Sequence, residues 1–126
     1  MSEHTVKSYE EELRQLIDSV IKMGSLTESQ MADSMDAIIK VDKDAIDKII
    51  KSDDEINKFR SKIDTQIMTL LVKRAPMAID LRETISSLKI SQDLERIGDL
   101  SKSNAKKIKP LPQDLPDELL GNLKRL

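Results

Sequence analysis

A chain of 126 residues suffices for one domain with a modest core, and a second domain is not expected. With 35% charged and 2% aromatic residues, and only 3 Gly and 4 Pro, the composition favours long helices over a β-sandwich or barrel. Its 21 basic and 23 acidic side chains nearly cancel to a net charge of −2, which removes any sequence-wide pull toward nucleic acid or anionic lipid. There is no cysteine, no apolar run of the ~18 residues a membrane span needs and no hydrophobic signal core, so a soluble, cytoplasmic protein is expected.

The first predicted helix runs from about Ser8 to Val41. Leu13, Leu16, Ile17, Val20, Met23, Met31, Met35 and Ile38 recur at three- and four-residue steps, the pattern of a bundle or coiled coil. Gly24 and Thr27 put small side chains on that stripe where another helix can approach, and the Met residues read as adaptable core. A break follows near Asp42 and Asp44, which suit the cap and first turn of a second helix.

That second helix is expected to reach Arg74 on a stripe of Ile46, Ile49, Ile56, Ile63, Ile67 and Leu70. Heptad spacing puts Asp53 and Arg60 at positions that should be apolar, with Asn57 beside them. Pro76 suits the first turn of a third helix, so a tight corner is expected there. The third helix is predicted over Met77 to Lys107, with one apolar row of Leu81, Ile85 and Leu88 and a second of Ile90, Leu94, Ile97 and Ala105. Pro110, Pro112 and Pro116 stop it, and Leu119, Leu120 and Leu123 are spaced as the start of a fourth helix. The chain thus divides into a bundle, residues 1–109, and a connector with a partial fourth helix, residues 110–126.

The sharpest local signal is the run Asp93, Leu94, Glu95, Arg96, Ile97, Gly98, Asp99. Glu95 and Asp99 lie four residues apart, so both carboxylates share one helix face within reach of a single cation. Gly98 costs helix propensity, roughly 1 kcal/mol against Ala, which points to a close neighbour. If the second and third helices fold back around Ala75, their equal rise per residue places Asp53 level with Ile97 and Asn57 level with Asp93. The same reasoning across the first two helices brings Glu28 level with Asn57.

Glu95, Asp99, Asp53, Asn57 and Glu28 are therefore the candidate metal ligands. Clustered carboxylates need protons, cationic partners or a metal, and oxygen-only ligation selects hard ions such as magnesium, calcium, manganese or iron. The plainer alternative is a solvated acidic face, or salt bridges to Arg60 and Arg96. The only histidine, His4, lies near the N-terminus, which removes His-based triads and the Glu-x-x-His helices of ferritin-like proteins. No Gly-rich phosphate loop, nucleophile elbow or metalloprotease signature is present. Lys102, Lys106, Lys107 and Lys109 read as complementing a helix dipole rather than as an RNA platform.

The run Arg74, Ala75, Pro76, Met77, Ala78, Ile79, Asp80, Leu81, Arg82, followed by Leu94, Glu95, Arg96, Ile97, Gly98, Asp99, resembles the signature of the PhoU family of phosphate-uptake regulators. Met23 and Gly24, and Asp53 with Ile56 and Asn57, also fall where that family has similar residues, so the likeness covers about residues 8 to 108. The resemblance implies a three-helix repeat, usually present twice in a chain, whose Glu/Asp-x-x-x-Asp motifs bind iron, zinc or similar metals in some members. Glu95 and Asp99 match that motif, and Arg60 stands where the family commonly carries an acid. Only one repeat is present here, which implies the N-terminal half of a longer protein or a single-repeat member.

The expected fold is therefore an all-α antiparallel three-helix bundle with a partial fourth helix. By the resemblance, the expected function is a non-enzymatic regulator that restrains a phosphate ABC transporter and its two-component sensor kinase. Its expected partners are the transporter ATPase subunit and the sensor histidine kinase, with iron, zinc, manganese or magnesium as candidate ions. A metal-dependent helical enzyme or metal-storage module is the alternative. Self-association is also expected, because the partial fourth helix leaves Leu119, Leu120 and Leu123 uncovered.

Overall fold

Three long helices account for nearly all of the described chain. In a computed structural model that describes residues 3–74, 78–110, 121–122 and 125, α1 spans Glu3–Lys40, α2 spans Lys43–Arg74 and α3 spans Ile79–Ile108. The expected boundaries hold to within a few residues except at the start of α1, which begins five residues before Ser8. The predicted corner at Pro76 and most of the predicted fourth helix lie outside the described residues.

Two residues, Val41 and Asp42, turn α1 into α2. Asp42 donates its N–H to the Ala37 carbonyl at 3.0 Å and Val41 donates to Ile38 at 3.3 Å, the paired bonds of a Schellman ending. Val41 sits at φ 48°, a left-handed position usually given to Gly, and compensates by burying its side chain to 1% exposure. Asp42 then caps α2, its Oδ1 accepting from the Ala45 N–H at 3.2 Å.

All three helices pack on one another. The short corner makes α1 and α2 antiparallel, while bonds from Gln30 to Gly98 and from Ser34 to Ser101 show α1 and α3 running side by side in the same direction. Leu13, Leu16, Val20, Met23, Ile56, Ile63, Ile67 and Leu70 form the larger core cluster. A smaller one, of Ala37, Ile46, Ile49 and Ala105, lies toward the α1–α2 corner. Between the two clusters the interior turns polar.

The buried face of α3 corrects the apolar rows expected from the sequence. The residues that go inside are Thr84, Ser87, Ser91, Gly98, Ser101 and Ala105, a stripe of small side chains at heptad-like spacing. Leu88 and Leu94 flank it half-buried, while Leu81, Ile90 and Ile97 are exposed. Met31 and Met35, expected as core, are exposed as well; Met23 is fully buried. Small residues let α3 lie close against its neighbours, and the hydroxyls need no outside partner: Thr84, Ser87 and Ser91 donate to the Asp80, Glu83 and Leu88 carbonyls of their own helix.

Near the opposite end from that corner, Arg74 holds Glu12 by two bonds, Nη2 to Oε1 at 2.8 Å and Nε to Oε2 at 3.3 Å. These hydrogen bonds keep the Glu12 carboxyl below its ordinary value of 4.5. A depressed carboxyl stabilises the fold above the unfolded pKa and loses that contribution as pH falls through the lower folded one. Glu12→Gln is therefore expected to flatten part of the acid limb of the stability profile below about pH 4.5, read from denaturant midpoints across pH. Both side chains are partly exposed, so the effect is small.

Candidate functional site

Helical spacing decides which side chains meet where α2 faces α3. On α2, Asp53, Asn57, Arg60 and Asp64 share a face; on α3, Ser91, Glu95, Gly98 and Lys102 do the same. Asp53 lies opposite Gly98, one residue from the pairing expected from the rise per residue. It is 1% exposed, so its carboxylate has to be satisfied from within.

Three groups satisfy it. Gln30 of α1 donates its Nε2 to Asp53 Oδ1 at 3.1 Å, while Asp53 Oδ2 faces Lys102 Nζ at 3.6 Å and Asn57 Nδ2 at 3.5 Å. The same Gln30 nitrogen also donates to the Gly98 carbonyl at 3.1 Å, and Gln30 Oε1 accepts from Ser52 Oγ at 3.0 Å. One buried amide thus ties all three helices together at a single level.

Gly98 makes this closeness possible. A Cβ there would stand 3.2 Å from Asp53 Oδ1 and 3.3 Å from Ile56 Cδ1, whereas one at Gly24 would meet Leu94 Cδ1 at an ordinary 3.9 Å. Neither Asp53 nor Ile56 is free to yield, the first held by Gln30 and Lys102, the second buried in the core. Opposite signs are therefore expected: Gly24→Ala stabilises by about 0.5–1 kcal/mol, and Gly98→Ala destabilises by about 1 kcal/mol despite its better propensity. Chemical denaturation of the two variants checks this.

Two turns along α2 from Asp53, Arg60 fills the base of a second polar feature. Its Nη1 donates to Ser91 Oγ at 2.9 Å, its Nη2 lies 3.2 Å from Asp64 Oδ1 and its Nε lies 3.5 Å from Glu95 Oε2. With Gln92, Glu95, Arg96 and Asp99 it lines an open cleft of about 410 Å³. The Arg60 side chain is 16% exposed, against 37% for Glu95 and 48% for Asp64.

The five candidate ligands are thus distributed rather than gathered. Glu95 faces Arg60, Asp99 is exposed on the rim of the same cleft, Asp53 is enclosed at the Gln30 level, Asn57 spends its amide on Asp53, and Glu28 is exposed on α1. Among the described residues, no three His, Cys, Asp or Glu side chains converge on a point that could hold a metal ion. Glu95 is already faced by a guanidinium and Asp53 by an ammonium and an amide, so the donor set as arranged does not fit a metal centre. Of the two alternatives left open by the sequence, the arrangement takes the form of salt bridges to Arg60.

Sequence reasoning missed Gln30 and misjudged Lys102. Nothing about a lone Gln on a long amphipathic helix marks it as an inter-helix clamp. Lys102 carried a usable signal, since it lies four residues after Gly98 on the face turned toward Asp53, but its place among other lysines made it look like dipole complementation.

Fold and site together define a three-helix bundle module with a buried amide–carboxylate clasp and a mixed-charge cleft between α2 and α3. Comparison with known proteins places it further. The family described as PhoU domain matches residues 20–108. A phosphate-specific transport system accessory protein PhoU homolog of Caulobacter vibrioides is 42% identical over 107 residues, covering 85% of this chain and 46% of the relative. The homolog so named from Xylella fastidiosa is 37% identical over 126 residues, covering 95% and 52%, and that of Clostridium acetobutylicum is 38% identical over 108 residues, covering 85% and 49%. The chain belongs to the PhoU domain family. It spans about half the length of the curated relatives it matches. No solved structure matches it significantly.

Proposed function

We propose that this chain is a helical regulator of phosphate uptake, which restrains a phosphate ABC transporter and its two-component sensor kinase when phosphate is plentiful. The observation that carries this reading is the 42% identity to a protein named as an accessory of phosphate-specific transport. No described helix is long and apolar enough to cross a membrane. In this reading the bundle reaches the transporter ATPase subunit and the sensor histidine kinase from the cytoplasmic side. It acts by binding, not by turnover. Capture of the tagged protein from cells grown at high and low phosphate tests this: both partners are expected at high phosphate, and their absence at high phosphate contradicts it.

A second copy of the chain is the occupant we assign to the groove between α1 and α3, lined by Met31, Met35, Ile38, Ile97 and Leu100. Exposed Met and Leu side chains at that density favour burial, and Met adapts to an imperfect partner surface. Sedimentation equilibrium is expected to show a dimer that Leu100→Glu converts to monomer; a native protein monomeric at high concentration contradicts this.

A further inference from the structure

We propose that α3 is a detachable arm, which undocks as a unit from an α1–α2 hairpin that stays folded and so uncovers the apolar surface beneath it. The division of the core carries this. Among the described residues, α1 and α2 each bury six apolar side chains, whereas α3 buries one, Ala105. The fully enclosed members of the larger cluster come four from α1 and four from α2, and α3 adds the half-buried Leu88 and Leu94. The apolar contact that holds the molecule is therefore mainly α1 against α2, with α3 contributing the smaller share.

The polar ties of α3 divide along the same line. The Thr84, Ser87 and Ser91 hydroxyls donate within α3 and stay satisfied when it leaves. What breaks is the pair of bonds from Gln30 and Ser34 of α1 to the Gly98 and Ser101 carbonyls, the Arg60–Ser91 bond, and three ion pairs to α2: Arg60–Glu95, Lys102–Asp53 and Lys109–Asp47. On release each of these charges gains water in place of its partner. Gln30 keeps Asp53 and Ser52, both of which lie in the hairpin. The hairpin is also closed at one end by its Val41–Asp42 corner and tied near the other by Arg74 and Glu12. α3, by contrast, starts without a side-chain cap, on Ala78 at φ 52° and ψ −117°, a conformation unfavourable for any residue with a Cβ. This movement is internal to the chain and independent of which proteins it contacts.

The test is native-state hydrogen exchange of the full chain, followed by mass spectrometry across guanidinium concentrations below the unfolding transition. Residues 84–105 are expected to share one opening, at least about tenfold faster than residues 16–23 and 56–70 and with a shallower dependence on denaturant. Leu100→Glu is expected to show the same pattern, which removes self-association as a restraint on α3. A Ser34→Cys/Ser101→Cys bridge, in a chain with no other cysteine, is expected to bring α3 exchange down to the hairpin rate when oxidised and to release it when reduced. Exchange of α3 at or below the hairpin rate, on one common denaturant dependence, overturns the proposal. So does a gradient of rates from the ends of α3 to its middle, or fast exchange that survives the closed bridge, because α3 then frays in place instead of undocking.

Discussion

Replacing Ile56 by Ala is expected to destabilise the protein by about 2–5 kcal/mol, one of the two largest losses from a single side chain here. Ile56 is 1% exposed and belongs to the larger core cluster, so truncation removes buried surface and leaves a void. The void has little chance to collapse. Its Cδ1 and Cγ2 define the wall against which Gly98 packs, at 3.3 and 3.5 Å from where a Cβ would stand, and the neighbouring Asp53 is held by its own bonds. Ile56→Val keeps most of the volume and should cost only about 0.5–1.5 kcal/mol. A denaturant melt in which Ile56→Ala matches the native midpoint would mean that α2 presents a different face to the core.

Lys102→Met is the other large expected loss, about 3 kcal/mol, because it leaves the enclosed Asp53 carboxylate without its cation. The figure is at the low end for a broken buried pair, since Lys102 itself is 26% exposed. What distinguishes an orphaned charge from lost packing is the double variant. Adding Asp53→Leu removes the buried anion, and Gln30 keeps the Gly98 carbonyl as an acceptor. Asp53→Leu/Lys102→Met is therefore expected to be more stable than Lys102→Met alone. Losses that simply add would show that the Lys102 ammonium and the Asp53 carboxylate are not coupled.

The helices were legible because their signals are redundant: period, caps and end charges agree. Asp42 both ends one helix and caps the next, Lys73 and Arg74 sit in the last turn of α2, and the Ile stripe of α2 is buried as its spacing predicts. The face of α3 was not legible in the same way. An apolar count favours Leu81, Ile90 and Ile97, yet close helix approach selects small side chains, and Thr84, Ser87, Ser91 and Ser101 go inside because their size permits contact. The hydroxyls of Thr84, Ser87 and Ser91 donate to carbonyls of their own helix, and the Ser101 carbonyl accepts from the Ser34 hydroxyl. Gly98 marked this principle in the sequence.

The candidate site was half legible. Spacing put Glu95 and Asp99 on one face and brought Asp53 to within one residue of its true level. It gave no means of telling whether the neutralising charge comes from solution or from the chain. Rotamers decide that: Arg60 turns across the cleft to Glu95, and Lys102 reaches down to Asp53. Two residues that looked like an off-pattern cation and a tail lysine are the counter-ions.

The most direct test of the proposed regulatory role is transcription of a phosphate-starvation reporter in phosphate-rich medium, with and without this protein. Cells lacking it are expected to express the reporter at the level of starved cells, and restoring the native chain should return it to the repressed level. A reporter that stays repressed in the absence of the protein would contradict the account.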